Sequence, residues 1–233
     1  MRASVLAFVT LVGCAAVSVK PVKGEQMPPA PFAEEIHVFG MEDEIFPPEQ
    51  CSTLFVGSSS IRFWFRLSSD FPGDHVIRRG FGGATIADIN RYFDRVVERY
   101  HPSRIVFYAG ENDLNAGGTI DEVVGAFRKF LDKKDAALGA TPIYYVSVKP
   151  SVARMDEFGL QEMLNQRISS MAEARADLTF IDIVTPMMKD GVIEPELYIS
   201  DRLHMNERGY DIWRVEIHDA LESRITTTSP YCP

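Results

Sequence analysis

The chain has 233 residues, 45% of them hydrophobic, with 24 basic against 33 acidic residues and a formal net charge of −9. That length holds one sizeable core and cramps two, so one folded domain is expected. No long basic run offers the electrostatic footprint that a phosphate backbone needs, which sets nucleic acid aside as a partner, and neither an internal repeat nor a low-complexity tract is visible.

Ala3 through Val19 carries no charge and follows Arg2, a positive start ahead of a short apolar run. This reads as an export signal over residues 1–19, short for a relaxed bilayer span of about 20 residues. Within it, Leu11-Val12-Gly13-Cys14 resembles the lipobox of bacterial lipoproteins, in which the cysteine is lipidated and becomes the first mature residue. A plain signal-peptidase cut beside Ala15-Ala16 is the alternative. The expectation is export to the periplasm, the cell surface or the medium, with a membrane tether if Cys14 carries lipid.

Residues 20–50 hold prolines at 21, 28, 29, 31, 47 and 48, which favours an extended linker and wrapping segment broken by one helical stretch, about Ala33 to Ile45. The domain proper is expected over 51–233. Cys51 stands just before the first strand and Cys232 one residue from the end. In a parallel α/β sheet the last helix runs back toward the edge where the first strand begins. A Cys51–Cys232 bridge is therefore expected in an exported protein, two free, unrelated thiols being the alternative.

The first strand is Leu54-Phe55-Val56, and it stops at Gly57 and three hydroxyls, Ser58-Ser59-Ser60. Gly57 permits a sharp turn, and Ser58 or Ser59 can cap the helix that Ile61-Arg62-Phe63-Trp64 begins. A serine on such a turn is either an ordinary helix cap or an exposed nucleophile whose backbone N–H favours a developing oxyanion. Further apolar runs follow at His75-Val76-Ile77, Ile105 to Tyr108, Ile143 to Val146 and Leu178 to Ile181. They barely alternate, as strands buried on both faces should. Between them lie apolar stripes at helical spacing: Ile86, Ile89, Phe93, Val96 and Val97; Ile120, Val123, Val124, Phe127 and Leu131; Leu160, Met163, Leu164, Ile168 and Met171. Tyr210, Trp213, Ile217 and Leu221 close the series. Five repeats of strand and helix predict a parallel sheet between helical layers, with ligands at the carboxyl ends of the strands. The aromatics Phe63, Trp64 and Phe65 and the methionine stripes are assigned to core packing.

The loops leaving those strands are polar or glycine-rich. Gly80-Phe81-Gly82-Gly83-Ala84-Thr85 lets backbone N–H groups approach a ligand, or simply turns. In Ala109-Gly110-Glu111-Asn112-Asp113 the asparagine amide can donate to an oxyanion, although Asn-Asp also builds turns. Ser200 to Asn206 precedes the last helix, and there Asp201 and His204 are three apart, placed on one face if the turn is helical, so that the carboxylate can orient the imidazole. His37, His75, His101 and His218 fall in surface or linker segments.

Gly57-Ser58-Ser59-Ser60, Gly80-Phe81-Gly82-Gly83, Gly110-Glu111-Asn112-Asp113 and Asp201-Arg202-Leu203-His204 resemble, in order and spacing, the four sequence blocks of the SGNH (GDSL-type) hydrolases. The resemblance covers residue 54 to about 221. It implies a flavodoxin-like three-layer α/β/α sandwich with a five-stranded parallel sheet, and a serine hydrolase acting on carboxylic esters. It also implies Ser59 as nucleophile, His204 as base, Asp201 as its orienter, and an oxyanion hole from the Ser59 N–H, Gly83 and Asn112. The aspartate that the family usually carries before the nucleophile is Ser58 here.

Export and the lack of a long apolar insertion favour short acyl or acetyl esters, among them carbohydrate O-acetyl groups. A lysophospholipase or thioesterase is the alternative, and a non-catalytic carbohydrate-binding relative a further one. No metal or other cofactor is expected, because no His-x-His, paired Cys or Glu-rich spacing lies near these loops. The first loop also lacks the lysine and glycine spacing of a phosphate loop. Nothing in the sequence sets an oligomeric state.

Overall fold

A computed structural model describes residues 30–223 and 229–232. The stretch read as an export signal, Cys14 and the prolines at 21, 28 and 29 lie outside the described residues. In the unit Pro31–Pro233, the apolar runs form β1 (Thr53–Gly57), β2 (Val76–Gly80), β3 (Arg104–Tyr108), β4 (Ile143–Val146) and β5 (Leu178–Ile181). All pairings are parallel and the order is β2-β1-β3-β4-β5. This is the flavodoxin-like order, in which the chain reverses direction across the sheet between β1 and β3.

Nine helices flank the sheet among the described residues: α1 (Ala33–Ile45), α2 (Ser59–Arg62), α3 (Leu67–Asp70), α4 (Ile86–Arg91), α5 (Phe93–Val96), α6 (Glu111–Asn115), α7 (Ile120–Leu138), α8 (Phe158–Glu173) and α9 (Glu207–Ser223). The pleat sends alternate strand residues to two separate cores. Leu54, Val56, Ile105, Phe107, Ile143 and Tyr145 meet Ile36, Ile89, Phe127, Phe130 and Leu164 on one face. Phe55, Val106, Tyr108, Tyr144 and Val146 meet Trp64, Phe71, Trp213 and Ile217 on the other. Burial on both faces is what a parallel strand between two helical layers requires, and it accounts for the absent alternation.

The wrapping segment contributes α1, which buries Ile36 and also Asp43, whose carboxylate pairs with Arg79 and accepts from the Tyr100 hydroxyl at 2.7 Å. Arg79 lies on β2, which extends to Gly80, farther than its apolar residues alone indicate. Cys51 and Cys232 are joined in a disulfide at the amino-terminal edge of the sheet, their Cα atoms 5.4 Å apart.

Three details differ from the periodicity. The stripe from Ile86 to Val97 is two short helices, broken at Tyr92 (φ −105°, ψ 17°), whose hydroxyl donates to the Pro31 carbonyl at 2.6 Å. The buried face of α8 is Gln161, Leu164, Asn165 and Ile168, leaving Leu160 and Met163 exposed. Its phase follows Asn165, whose amide pairs with both the N–H and the carbonyl of Val148, at 2.8 and 2.9 Å, beyond the end of β4. A small hairpin, β6 (Met188–Lys189) and β7 (Val192–Ile193), turns at Asp190-Gly191, both with positive φ.

Candidate active site

Gly57 ends β1 in register with Gly80 of β2 and Tyr108 of β3, so three loops leave the sheet at one level, where the chain changes direction. A Cβ at Gly57 would collide with the Tyr108 carbonyl oxygen, which instead accepts the Ser58 N–H at 3.0 Å. Ser58 is extended, and its carbonyl accepts from the N–H groups of Ile61 and Arg62 at 3.1 Å each, starting α2. Ser58 and Ser60 are buried, only 1% and 2% exposed. Ser59, at the first position of α2, is the partly open member of the three. Its N–H, as at any helix start, has no partner in the helix ladder.

The loop after β2 carries Gly83 at φ +79°, a conformation that suits glycine, on an exposed turn. A capping box between Thr85 and Asp88 starts α4 immediately beyond it. From α6, which follows β3, Asp113 reaches across to accept the Ile86 N–H at 3.1 and 3.2 Å. Burial is the main influence on that carboxyl and outweighs this hydrogen bond, pushing it up to about 6. Asn112 lies alongside, its Nδ2 donating to the Ala84 carbonyl at 3.0 Å and its Oδ1 accepting from Arg154 Nη2 at 3.1 Å. One amide N–H is thus spent next to Gly83 and the other stays available.

Asp201 and His204 sit in an irregular turn, not the helical one that their spacing suggested. Asp201 Oδ1 accepts the N–H groups of Leu203 and His204, both at 2.9 Å, which winds the loop around the carboxylate. Its Oδ2 lies 2.6 Å from His204 Nδ1, and His204 Nε2 lies 2.8 Å from Ser59 Oγ. Burial works against the Asp201 charge, but hydrogen bonds from the His204 ring and the two backbone N–H groups outweigh it, holding the carboxyl below its ordinary value. An ionised Asp201 fixes the proton on Nδ1, leaving Nε2 as the acceptor that faces the serine.

Beside His204 runs a groove of about 460 Å³ lined chiefly by Phe63, Phe65, Ile199, Met205 and Tyr210. Phe63 presents its ring edge-on to His204, 4.9 Å between centroids, and Phe65 is 78% exposed. Of the three aromatics assigned to the core, only Trp64 is there, packed edge-to-face with Phe55, Phe71 and Trp213. Beneath Asn112 the buried pair Glu111 and Lys149 is joined by the largely covered Arg154, and neither cation belongs to a motif block. These are isolated charges in the sequence, and only the tertiary fold joins them. Among the described residues no group of three or more His, Cys, Asp or Glu side chains is placed to hold a metal ion.

The family model described as GDSL-like Lipase/Acylhydrolase matches residues 55–212. The fold is similar to that of a GDSL-like lipase from Bacteroides thetaiotaomicron, at 22% identity and TM-score 0.71, covering 82% of this chain and 98% of that one. It is similar also to a lipase/acylhydrolase from Enterococcus faecalis, at 18% identity and TM-score 0.60, covering 74% and 95%. A catalytic mutant of an acetylxylan esterase from Geobacillus stearothermophilus aligns at 13% identity and TM-score 0.58, covering 72% and 93%. No curated protein matches the chain.

Proposed function

The chain belongs to the GDSL-like lipase/acylhydrolase family of ester-hydrolysing enzymes, and from that premise we propose an exported serine esterase that removes short acyl or acetyl groups, carbohydrate O-acetyl groups among them. The observation that carries the reading is His204 bridging Ser59 at 2.8 Å and Asp201 at 2.6 Å through its two ring nitrogens.

In this mechanism His204 Nε2 takes the Ser59 proton as Oγ attacks the ester carbonyl. The resulting oxyanion is met by the N–H groups of Ser59 and Gly83 and by the remaining Asn112 amide N–H. As the tetrahedral intermediate collapses, the C–O bond to the alcohol breaks and His204 passes its proton to the leaving oxygen. Water then repeats the sequence on the acyl-enzyme and regenerates Ser59. Asp201 stays ionised and orients the ring.

Export is supported by the charge-free run Ala3–Val19 behind Arg2 and by the Cys51–Cys232 disulfide, a bond at home in an oxidising compartment. Lipidation of Cys14 stays part of this proposal, and the mass of the mature N-terminus tests it. A second reading of the substrate comes from the apolar groove beside His204, which favours an ester with an aryl or alkyl portion over a wholly polar one.

Hydrolysis of p-nitrophenyl acetate, butyrate and decanoate, alongside acetate release from acetylated xylan, tests these readings. Activity on the short esters that disappears in Ser59→Ala fits the esterase proposal. Turnover of decanoate above acetate would point to the lipid-like ester instead. Full activity in Ser59→Ala would remove the proposed nucleophile.

A further inference from the structure

Arg154 is the second of two cations in the segment between β4 and α8, Lys149 being the first, and lies outside all four motif blocks, yet its guanidinium spans two partners at the proposed oxyanion site. Nη2 donates to Asn112 Oδ1 at 3.1 Å and Nη1 lies 3.6 Å from Glu111 Oε1. Glu111 is already served by Lys149, whose Nζ lies 3.0 and 3.1 Å from its two oxygens, and by the Tyr108 hydroxyl at 2.8 Å. Lys149 neutralises that carboxylate, so the Arg154 charge is surplus. Its turn is held from two sides: the Arg154 N–H donates to the Ser151 carbonyl at 3.2 Å, and the Ala153 N–H to the Arg202 carbonyl at 3.1 Å, inside the Asp201–His204 loop.

We propose, resting on the reading of Asn112 as an oxyanion donor, that Arg154 is a positioning residue for ester hydrolysis: it locks the Asn112 carboxamide in its donating orientation and sets a positive charge behind it. Flipping the amide would turn NH₂ toward the guanidinium and Oδ1 toward the Ala84 carbonyl, two repulsive contacts replacing two hydrogen bonds. Only the observed orientation aims an N–H out of the cluster. A cation on the amide oxygen also polarises the group, strengthening its N–H as a donor. A well-packed apolar cluster fills such a space at least as stably as buried charges, which fits a role for the charges at Asn112 rather than in stability alone.

The test compares Arg154→Ala, Arg154→Lys, Asn112→Ala and the double variant on p-nitrophenyl acetate, with and without added guanidinium ion. Removing an oxyanion donor outright slows kcat by about a hundredfold to a thousandfold, and removing its positioner is expected to cost less, roughly tenfold to a hundredfold. KM should stay within about twofold in Arg154→Ala, guanidinium should restore part of kcat, and Arg154→Lys should recover less than full rate because it lacks the fork. In the Asn112→Ala background, Arg154→Ala should add no more than about twofold, since the two act as one unit. A normal kcat in Arg154→Ala beside a slow Asn112→Ala overturns the role of Arg154 and leaves the donor reading standing. A normal kcat in Asn112→Ala removes the donor reading and this proposal with it. Additive losses in the double variant, or a loss that tracks a lowered melting temperature and ignores guanidinium, reduce Arg154 to a structural part.

Discussion

His204 Nε2 lies 2.8 Å from Ser59 Oγ although the two residues come from opposite ends of the domain, one at the exit of β1 and the other just ahead of α9. The distance is set by two anchors that carry no chemistry themselves. Tyr210 on α9 donates its hydroxyl to the Ser60 carbonyl at 2.9 Å, and the His204 carbonyl accepts the Ile199 N–H at 2.9 Å. With donor and acceptor held in this way, Ser59→Ala and His204→Ala should each lower kcat by roughly a million-fold, and the double variant should fall little further. Asp201→Asn should lose about a hundredfold to ten-thousandfold, because in the proposed mechanism Asp201 acts through the ring, and its side chain is 43% exposed to water. Burst kinetics with p-nitrophenyl acetate check this, and a His204→Ala enzyme retaining a tenth of the rate would refute the arrangement.

Asp113 gives a stability prediction with a definite sign. Its carboxyl, pushed to about 6 mainly by burial, binds its proton more tightly in the folded chain than in the unfolded one, where a value near 3.9 applies. The stabilisation from protonation is therefore full below about pH 4 and is lost as pH rises through about 6, a change of about 3 kcal/mol. Asp113→Asn cannot ionise, so its stability relative to the parent should climb over that window and level off above it, whatever offset the changed hydrogen bond to Ile86 introduces. Urea unfolding of both chains from pH 4 to 8 measures the gap, and a gap that does not vary with pH contradicts the argument.

Strands were legible in this chain because burial on both faces leaves short apolar runs that only a parallel sheet explains, and five such runs separated by helical stripes specify the layers. Gly57, the glycine-rich loop at 80–85 and Asn112 were visible for a related reason: loops at one edge of a sheet carry polar residues and glycines in excess of what a turn needs, and the family resemblance then singled out Gly83. Arg79 and Lys149 were not legible as buried groups, since nothing local tells a cation that its counter-ion will be Asp43 or Glu111. Phe65 was misassigned for the converse reason. An aromatic next to Trp64 looks like core until the short α2 ends at Arg62 and the chain turns outward. The Asp190-Gly191 hairpin did carry a signal, a two-residue turn between Met188 and Ile193, too short to compete with the main strands.

The Cys51–Cys232 disulfide closes a loop of 181 residues between the start of β1 and the carboxyl terminus. Cross-links of this kind stabilise by about 2–4 kcal/mol, largely by restricting the unfolded chain. The bond lies at the amino-terminal edge of the sheet, whereas Ser59 and His204 lie at the carboxyl edge. Replacing both cysteines by alanine should therefore lower the melting temperature by roughly 4–16 °C while kcat at 25 °C stays near that of the parent. Parallel thermal scans and assays decide it. A variant that melts with the parent would show that the loop was constrained by packing alone.

The groove beside His204 predicts how the two halves of the ester are told apart. In the proposed mechanism the leaving oxygen has to come within hydrogen-bonding reach of Nε2 to be protonated, which would lay the alcohol portion along the wall made by Phe63, Phe65 and Ile199. Phe65 is 78% exposed and Ile199 46%, so each has surface left to cover, and a ring laid against one of them removes apolar area from water. At about 25 cal/mol per Å², covering some 40 Å² contributes roughly 1 kcal/mol, or about fivefold in affinity. Phe65→Ala and Ile199→Ala should therefore raise KM for phenyl acetate about threefold to tenfold with little change in kcat, the signature of binding lost equally from ground and transition states. Ethyl acetate, too small to reach the wall, should respond to neither change. Lengthening the acyl chain on a constant phenol separates the two sides of the scissile bond. If both variants penalise long acyl chains and treat phenyl and ethyl acetates alike, the groove holds the acyl group and the assignment is reversed.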